Sequence, residues 1–195
     1  MKLIGIDFKA KIIAYLPTFR DSGDTCFSFL GVKDPTFWKM LDERNIVIVH
    51  KAHFADVNQY RNEEEYKRVL CINDVAAQEL MAASDMLITD YSSCFFDYLI
   101  LDRPIIHYIY DYDFYKNKDR GLYYDVEQVA CGDTPRTEQE LIEAIRKNLN
   151  EVDRNRLLRS TRREKFISFE NEHSCEVITR ILFKNIRKKH NSFEV

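Results

Sequence analysis

Residues Ala83 to Ile106 read ASDMLITDYSSCFFDYLILDRPII, and along them a short apolar run, a polar turn, an amphipathic run and a second apolar run follow in turn. Met86 to Thr89 has the apolar character of a strand buried on both faces. Ser92 or Ser93 can cap a helix whose apolar positions include Phe95, Phe96, Leu99 and Ile100. A proline-led strand, Ile105 to Ile109, comes next. Strand, turn, helix, strand is the repeating unit of a parallel sheet with crossover helices.

The alternation continues outward. Lys11 to Leu16, Ile46 to His50 and, more weakly, Arg68 to Ile72 are further candidate strands. Pro35 to Arg44 has proline at a first-turn position after Asp34 and predicts a helix. Asp74 to Ala83 predicts another, capped by Asn73 or Asp74. After Thr137 the pattern TEQELIEAIR places acids early and bases late, as the helix dipole favours. Glu151 to Lys189 predicts two more helical stretches, broken near Ser168 to Ser174. The expected fold is α/β, one domain over residues 1–195. A Rossmann-like parallel sheet with flanking helices occupies about 11–150, and 151–195 form a helical tail.

Composition narrows the function classes. The 195 residues carry 29 Lys plus Arg against 32 Asp plus Glu, a formal charge of -3, with 45% hydrophobic residues. A chain so close to neutral offers no broad electrostatic footprint for nucleic acid. The five cysteines are scattered without a C-x-x-C pair, so neither a zinc knuckle nor a disulfide framework is expected. The first residues lack the order of a signal peptide and no apolar run is long enough to span a membrane, which gives a cytoplasmic expectation. Neither G-x-G-x-x-G nor G-x-x-x-x-G-K occurs, so the glycine-loop modes of dinucleotide and P-loop binding are absent.

Ligands of open parallel sheets bind beyond the carboxyl ends of the strands. Four clusters are expected there. Thr89, Asp90, Tyr91, Ser92 and Ser93 lead into a helix N-terminus, whose exposed N–H groups and dipole suit a phosphate, although two serines also cap a helix in the ordinary way. Asp97, one turn on, can accept polyol or sugar hydroxyls or can simply be a solvated first-turn acid. Arg20, after the first strand, can grip a phosphate bidentately or pair with Asp21 or Asp24. Lys51 and His53 follow the second strand, His53 as candidate general acid. Arg120, in a polar loop with Tyr123 and Tyr124, is a further cation for a diphosphate. The triplet Asp111, Tyr112, Asp113 has hard oxygens of the kind that hold divalent metals, but with so many cations at hand no metal and no cofactor is called for.

Taken in order, PTFRD at Pro17 to Asp21, KAH at Lys51 to His53, SDMLITDYSS at Ser84 to Ser93, Phe96-Asp97, RPII at Arg103 to Ile106 and RGLYYD at Arg120 to Asp125 resemble the CDP-glycerol glycerophosphotransferases, builders of teichoic acid and capsule poly(glycerol phosphate). The resemblance runs from about Lys11 to Ile145. It implies the C-terminal, donor-binding half of a GT-B glycosyltransferase fold. By the same resemblance Arg20, Lys51, His53, Thr89, Ser92, Ser93, Asp97 and Arg120 bind CDP-glycerol or a related CDP-polyol such as CDP-ribitol, the acceptor is a polyol-phosphate polymer, and CMP leaves. It further implies a partner N-terminal half, in cis or in trans, that supplies the base. The basic segment Arg187, Lys188 and Lys189 suits peripheral contact with an anionic membrane. Three positions depart from the family pattern: Phe54 follows His53, Cys131 precedes Gly132, and Glu170 to Ser174 lacks Asp-Gly.

Overall fold

A computed structural model describes residues 7, 9–20, 27–51, 68–72, 74–119, 121–167 and 173–190. Five strands, β1 (Lys11–Leu16), β2 (Ile46–His50), β3 (Val69–Cys71), β4 (Met86–Thr89) and β5 (Ile105–His107), pair in parallel in the order β3-β2-β1-β4-β5. The helices are α1 (Pro35–Glu43), α2 (Ala77–Ala83), α3 (Cys94–Leu99), α4 (Tyr112–Lys118), α5 (Val126–Val129), α6 (Glu138–Asn150), α7 (Arg156–Phe166) and α8 (Ser174–His190).

The strands are apolar throughout because both faces of the sheet are covered. Ile13, Tyr15, Ile46, Ile48, Met86 and Ile88 pack on one side against Phe37 and Leu41 of α1 and Leu141 and Ile145 of α6. Ile12, Ala14, Leu16, Val47, Val49 and Leu87 pack on the other against Leu80 of α2 and Phe95, Tyr98 and Leu99 of α3. Each fully buried side chain of this kind contributes about 1.5–3 kcal/mol, so the alternate burial holds the register as well as the fold.

Helix starts follow local chemistry. Asp34 accepts from the N–H groups of Thr36 and Phe37, with Pro35 at the first turn of α1. At α6 the Thr137 hydroxyl accepts from Glu140 N–H while Glu140 accepts from Thr137 N–H, a reciprocal cap. The expected cap of α2 by Asp74 is corrected: the helix begins at Ala77, and Glu79 accepts from Ala76 N–H instead; Asn73 lies outside the described residues. The last strand is shorter than Ile105 to Ile109, because its partner β4 ends at Thr89, whose carbonyl accepts from Tyr108 N–H, and Ile109 N–H donates to Pro135. Helices α4 and α5 lie in stretches to which sequence reasoning assigned no element.

Two histidines close strands inside the core. Burial pushes His50 down to about 4, and burial, partly offset by contact with the Asp90 carbonyl, does the same for His107. The unfolded chain protonates these rings near pH 6.5, so the stability they confer is complete above that pH and is lost as pH falls toward about 4. The urea midpoint is expected to be level above about pH 7 and to decline between about pH 6.5 and 4.5. A midpoint level down to pH 4.5 contradicts the assignment.

Candidate functional site

The strand order reverses at β1: the chain leaves β1 for β2 on one side and reaches β4 on the other. Ligand crevices of open α/β sheets form at that switch, beyond the carboxyl ends. The register places Leu16 of β1 beside Thr89 of β4 and Tyr15 beside His50, so the segments after β1, β2 and β4 leave one edge together.

The rim is organised by a buried ionic network. Asp90 Oδ1 accepts from Thr18 N–H at 2.8 Å, Thr18 Oγ1 at 2.6 Å and Tyr91 N–H at 2.6 Å. Asp90 Oδ2 accepts from Arg20 Nη2 at 2.8 Å. Arg20 Nε donates to Asp111 Oδ2 at 2.7 Å, and Nη1 to the Thr18 carbonyl at 2.5 Å. Tyr91 hydroxyl donates to Asp111 Oδ1 at 2.9 Å, and its ring stacks on Tyr115 with centroids 4.0 Å apart. Three tyrosine rings, those of Tyr91, Tyr110 and Tyr115, lie within 5.7 Å of the guanidinium carbon. Burial alone works against the Arg20 charge, yet hydrogen bonding to Asp111 and the charge of Asp90 outweigh it and hold the pKa above its ordinary value. Burial, then the charge of Asp111, raises Tyr91 as well, so the hydroxyl keeps its proton and donates.

Each expected site residue then has a place. Arg20 sits at the rim but faces inward, its side chain 1% exposed. The pairing weighed for it with Asp21 or Asp24 falls outside the described residues, and the partners observed are Asp90 and Asp111. Thr89 is fully buried and donates to the Leu16 carbonyl at 2.7 Å, so its hydroxyl locks β4 to β1 rather than facing solvent. Lys51 is half-buried at the end of β2, its N–H donating to the Tyr15 carbonyl. Ser92 is half-buried and Ser93 and Asp97 are exposed. Ser92 Oγ accepts from Cys94 N–H at 3.4 Å. Among the described residues no protein group accepts from the N–H of Ser92 or Ser93. His53 and Arg120 lie outside the described residues.

Sequence reasoning placed Asp90 and Tyr91 at this strand end, and Thr18 within PTFRD, without giving any of them a role, and it did not connect Asp111 to the rim. Asp111 had been weighed as a metal ligand, but Arg20 and Tyr91 already occupy its oxygens. A groove of about 1070 Å³ lies apart from the rim, lined by Asp34, Asp133, Arg136, Glu140 and Arg146 among others, with no residue of the β4 turn. Its charges pair with one another, as Arg146 with Asp34 and Arg154 with Asp133.

A doubly wound parallel sheet whose order reverses at β1 defines an α/β unit of the kind that takes ligands beyond the carboxyl ends of its strands. The chain belongs to the family of CDP-glycerol:poly(glycerophosphate) glycerophosphotransferases, whose model matches residues 1–184. It is 38% identical over 159 residues to the teichoic acid poly(glycerol phosphate) polymerase of Bacillus spizizenii, covering 75% of this chain and 38% of that protein. It is 30% identical over 186 residues to the teichoic acid glycerol-phosphate transferase of Staphylococcus aureus, covering 93% of this chain and 47% of that protein. The solved wall teichoic acid polymerase TagF superposes with a TM-score of 0.73 at 27% identity, over 94% of this chain and 45% of that one. The chain thus spans less than half the length of these relatives. No described helix is long and apolar enough to cross a membrane.

Proposed function

We propose that this chain is the donor-binding half of a GT-B transferase that moves glycerol phosphate from CDP-glycerol to a growing poly(glycerol phosphate) chain and releases CMP. The observation that carries the proposal is the pair of amides at Ser92 and Ser93, without an acceptor among the described residues, at the switch point of the sheet edge on which Lys51 follows β2. The TagF polymerase was also solved as a variant soaked with CDPG, at a TM-score of 0.69 and 30% identity to this chain.

In this reading the diphosphate lies over the Ser92–Ser93 turn, and Asp97 receives hydroxyls of the ribose or the polyol. The acceptor hydroxyl attacks the phosphorus that bears glycerol; the new O–P bond forms as the bridging P–O bond breaks, and the bridging oxygen leaves with CMP. Amides, hydroxyls and Lys51 offset the charge that grows on the leaving phosphate, the effect that dominates such transfers. His53 protonates that oxygen, and Arg120 adds a cation. The base that takes the acceptor proton comes from a second α/β half, in cis or in trans. The setting is the cytoplasmic side of the cell membrane, with the basic end of α8 toward anionic lipid.

Calorimetric titration tests the donor site. The unmodified chain is expected to bind CDP-glycerol, and Ser92→Ala combined with Ser93→Ala to weaken binding about tenfold or more, as loss of hydrogen bonds to a charged group does. Unchanged affinity removes the two hydroxyls from the site, and an unmodified chain that does not bind CDP-glycerol removes the turn. Because relatives of this family include a poly(ribitol-phosphate) polymerase of Bacillus spizizenii at 29% identity, CDP-ribitol is the informative competitor: weaker binding than CDP-glycerol is expected.

A further inference from the structure

Asp90 presents its carboxylate to four donors at once. Three of them meet Oδ1, the N–H and hydroxyl of Thr18 and the N–H of Tyr91, and the fourth, Arg20 Nη2, meets Oδ2. The side chain is 2% exposed, so it touches nothing in solution. Its own carbonyl faces Nδ1 of His107 at 3.4 Å, and the ring's Nε2 accepts from Cys131 N–H at 3.1 Å, which makes Nδ1 the protonated nitrogen and therefore the donor. The next residue, Tyr91, is held at its hydroxyl by Asp111 and at its ring by Tyr115. The peptide leading into Ser92 is thereby anchored on both sides, and with it the direction in which the Ser92 and Ser93 amides point.

Only an ionised carboxylate satisfies this arrangement. An asparagine would have to aim its NH₂ either at the guanidinium or at the Thr18 and Tyr91 donors, placing donor against donor in a buried site. Charge matters too, since a carboxylate behind a diphosphate would repel it. Arg20, which Asp90 shares with Asp111, offsets part of that repulsion at close range.

We infer that Asp90 is a positioning residue for the donor diphosphate: it sets the Ser92–Ser93 turn through Thr18, Arg20 and Tyr91 without touching the substrate. The inference rests on the donor-site reading above and adds a residue to it.

The test is calorimetric titration of CDP-glycerol against the unmodified chain, Asp90→Asn, Thr18→Val and Thr18→Ser, with thermal midpoints measured in parallel. Titrations run well below every midpoint, so that the stoichiometry reports the folded fraction and Kd reports the shape of the turn. Asp90→Asn is expected to raise Kd about thirtyfold and Thr18→Val about fivefold, both at unchanged stoichiometry, because each removes a bond that aims the turn. Thr18→Ser, which keeps the hydroxyl, is expected to stay within about twofold of the unmodified chain. Lower midpoints with unchanged Kd in both Asp90→Asn and Thr18→Val overturn the inference and leave the donor site standing. If Asp90→Asn does not fold, the contrast between Thr18→Val and Thr18→Ser decides alone. An unmodified chain that does not bind CDP-glycerol overturns the donor-site reading and the positioning role with it.

Discussion

Arg20→Ala is expected to lower the unfolding free energy by about 3–5 kcal/mol, the usual cost of removing one partner from a buried charge pair. The magnitude comes from what the substitution leaves behind. Asp90 and Asp111 both turn toward the guanidinium, at 2.8 and 2.7 Å, and the Asp90 side chain is 2% exposed. Without Arg20 these two carboxylates face each other across a site ringed by Tyr91, Tyr110 and Tyr115, and the cavity adds a packing loss. Arg20→Lys restores one positive charge but not the fork that reaches Asp90, Asp111 and the Thr18 carbonyl together, so it is expected to recover only part of the loss. Urea unfolding at neutral pH measures both variants. A loss under about 1 kcal/mol for Arg20→Ala would place the pair among exposed salt bridges and contradict its burial.

Gly132→Ala is the second large effect. A Cβ built on Gly132 lies 1.8 Å from the Ile105 carbonyl oxygen and 2.9 Å from its carbon. Both are backbone atoms of β5, and they cannot yield alone. Asp133 pairs with Ile106, and its carbonyl accepts from His107 N–H at 2.8 Å, so displacing the segment also breaks that pairing and the contact of Cys131 N–H with His107. The expected loss is about 3 kcal/mol, the upper end of overpacking costs. Gly31→Ala is the control: nothing lies within 4 Å of its Cβ, and a change within about 1 kcal/mol is expected. Equal melting temperatures for the two variants would show that the close approach at β5 is not rigid.

The strands were legible because a sheet covered on both faces demands uninterrupted apolar runs, and Ile46 to His50 and Met86 to Thr89 have few other readings. Helix α6 was legible from its dipole-matched charges. Helices α4 and α5 were not. The sequence YDFYKNK buries only Tyr115, and four residues at Val126–Val129 are too few to show a period. The rim was half legible: local sequence marks a strand end rich in serine, but it cannot show which way a side chain turns. Arg20 reads as a phosphate grip until the fold brings Asp90 and Asp111 to it across 70 and 91 residues of chain. Thr89 reads as a ligand hydroxyl until the register places the Leu16 carbonyl beside it.

The same long separations order events during synthesis. Asp111 leaves the ribosome 91 residues after Arg20, so the Arg20–Asp90–Asp111 network cannot close until β4 and the segment after β5 have been made and have docked. The buried network at this edge is therefore complete only once the whole sheet has assembled, and a chain cut short before Asp111 leaves Arg20 without one of its two carboxylate partners.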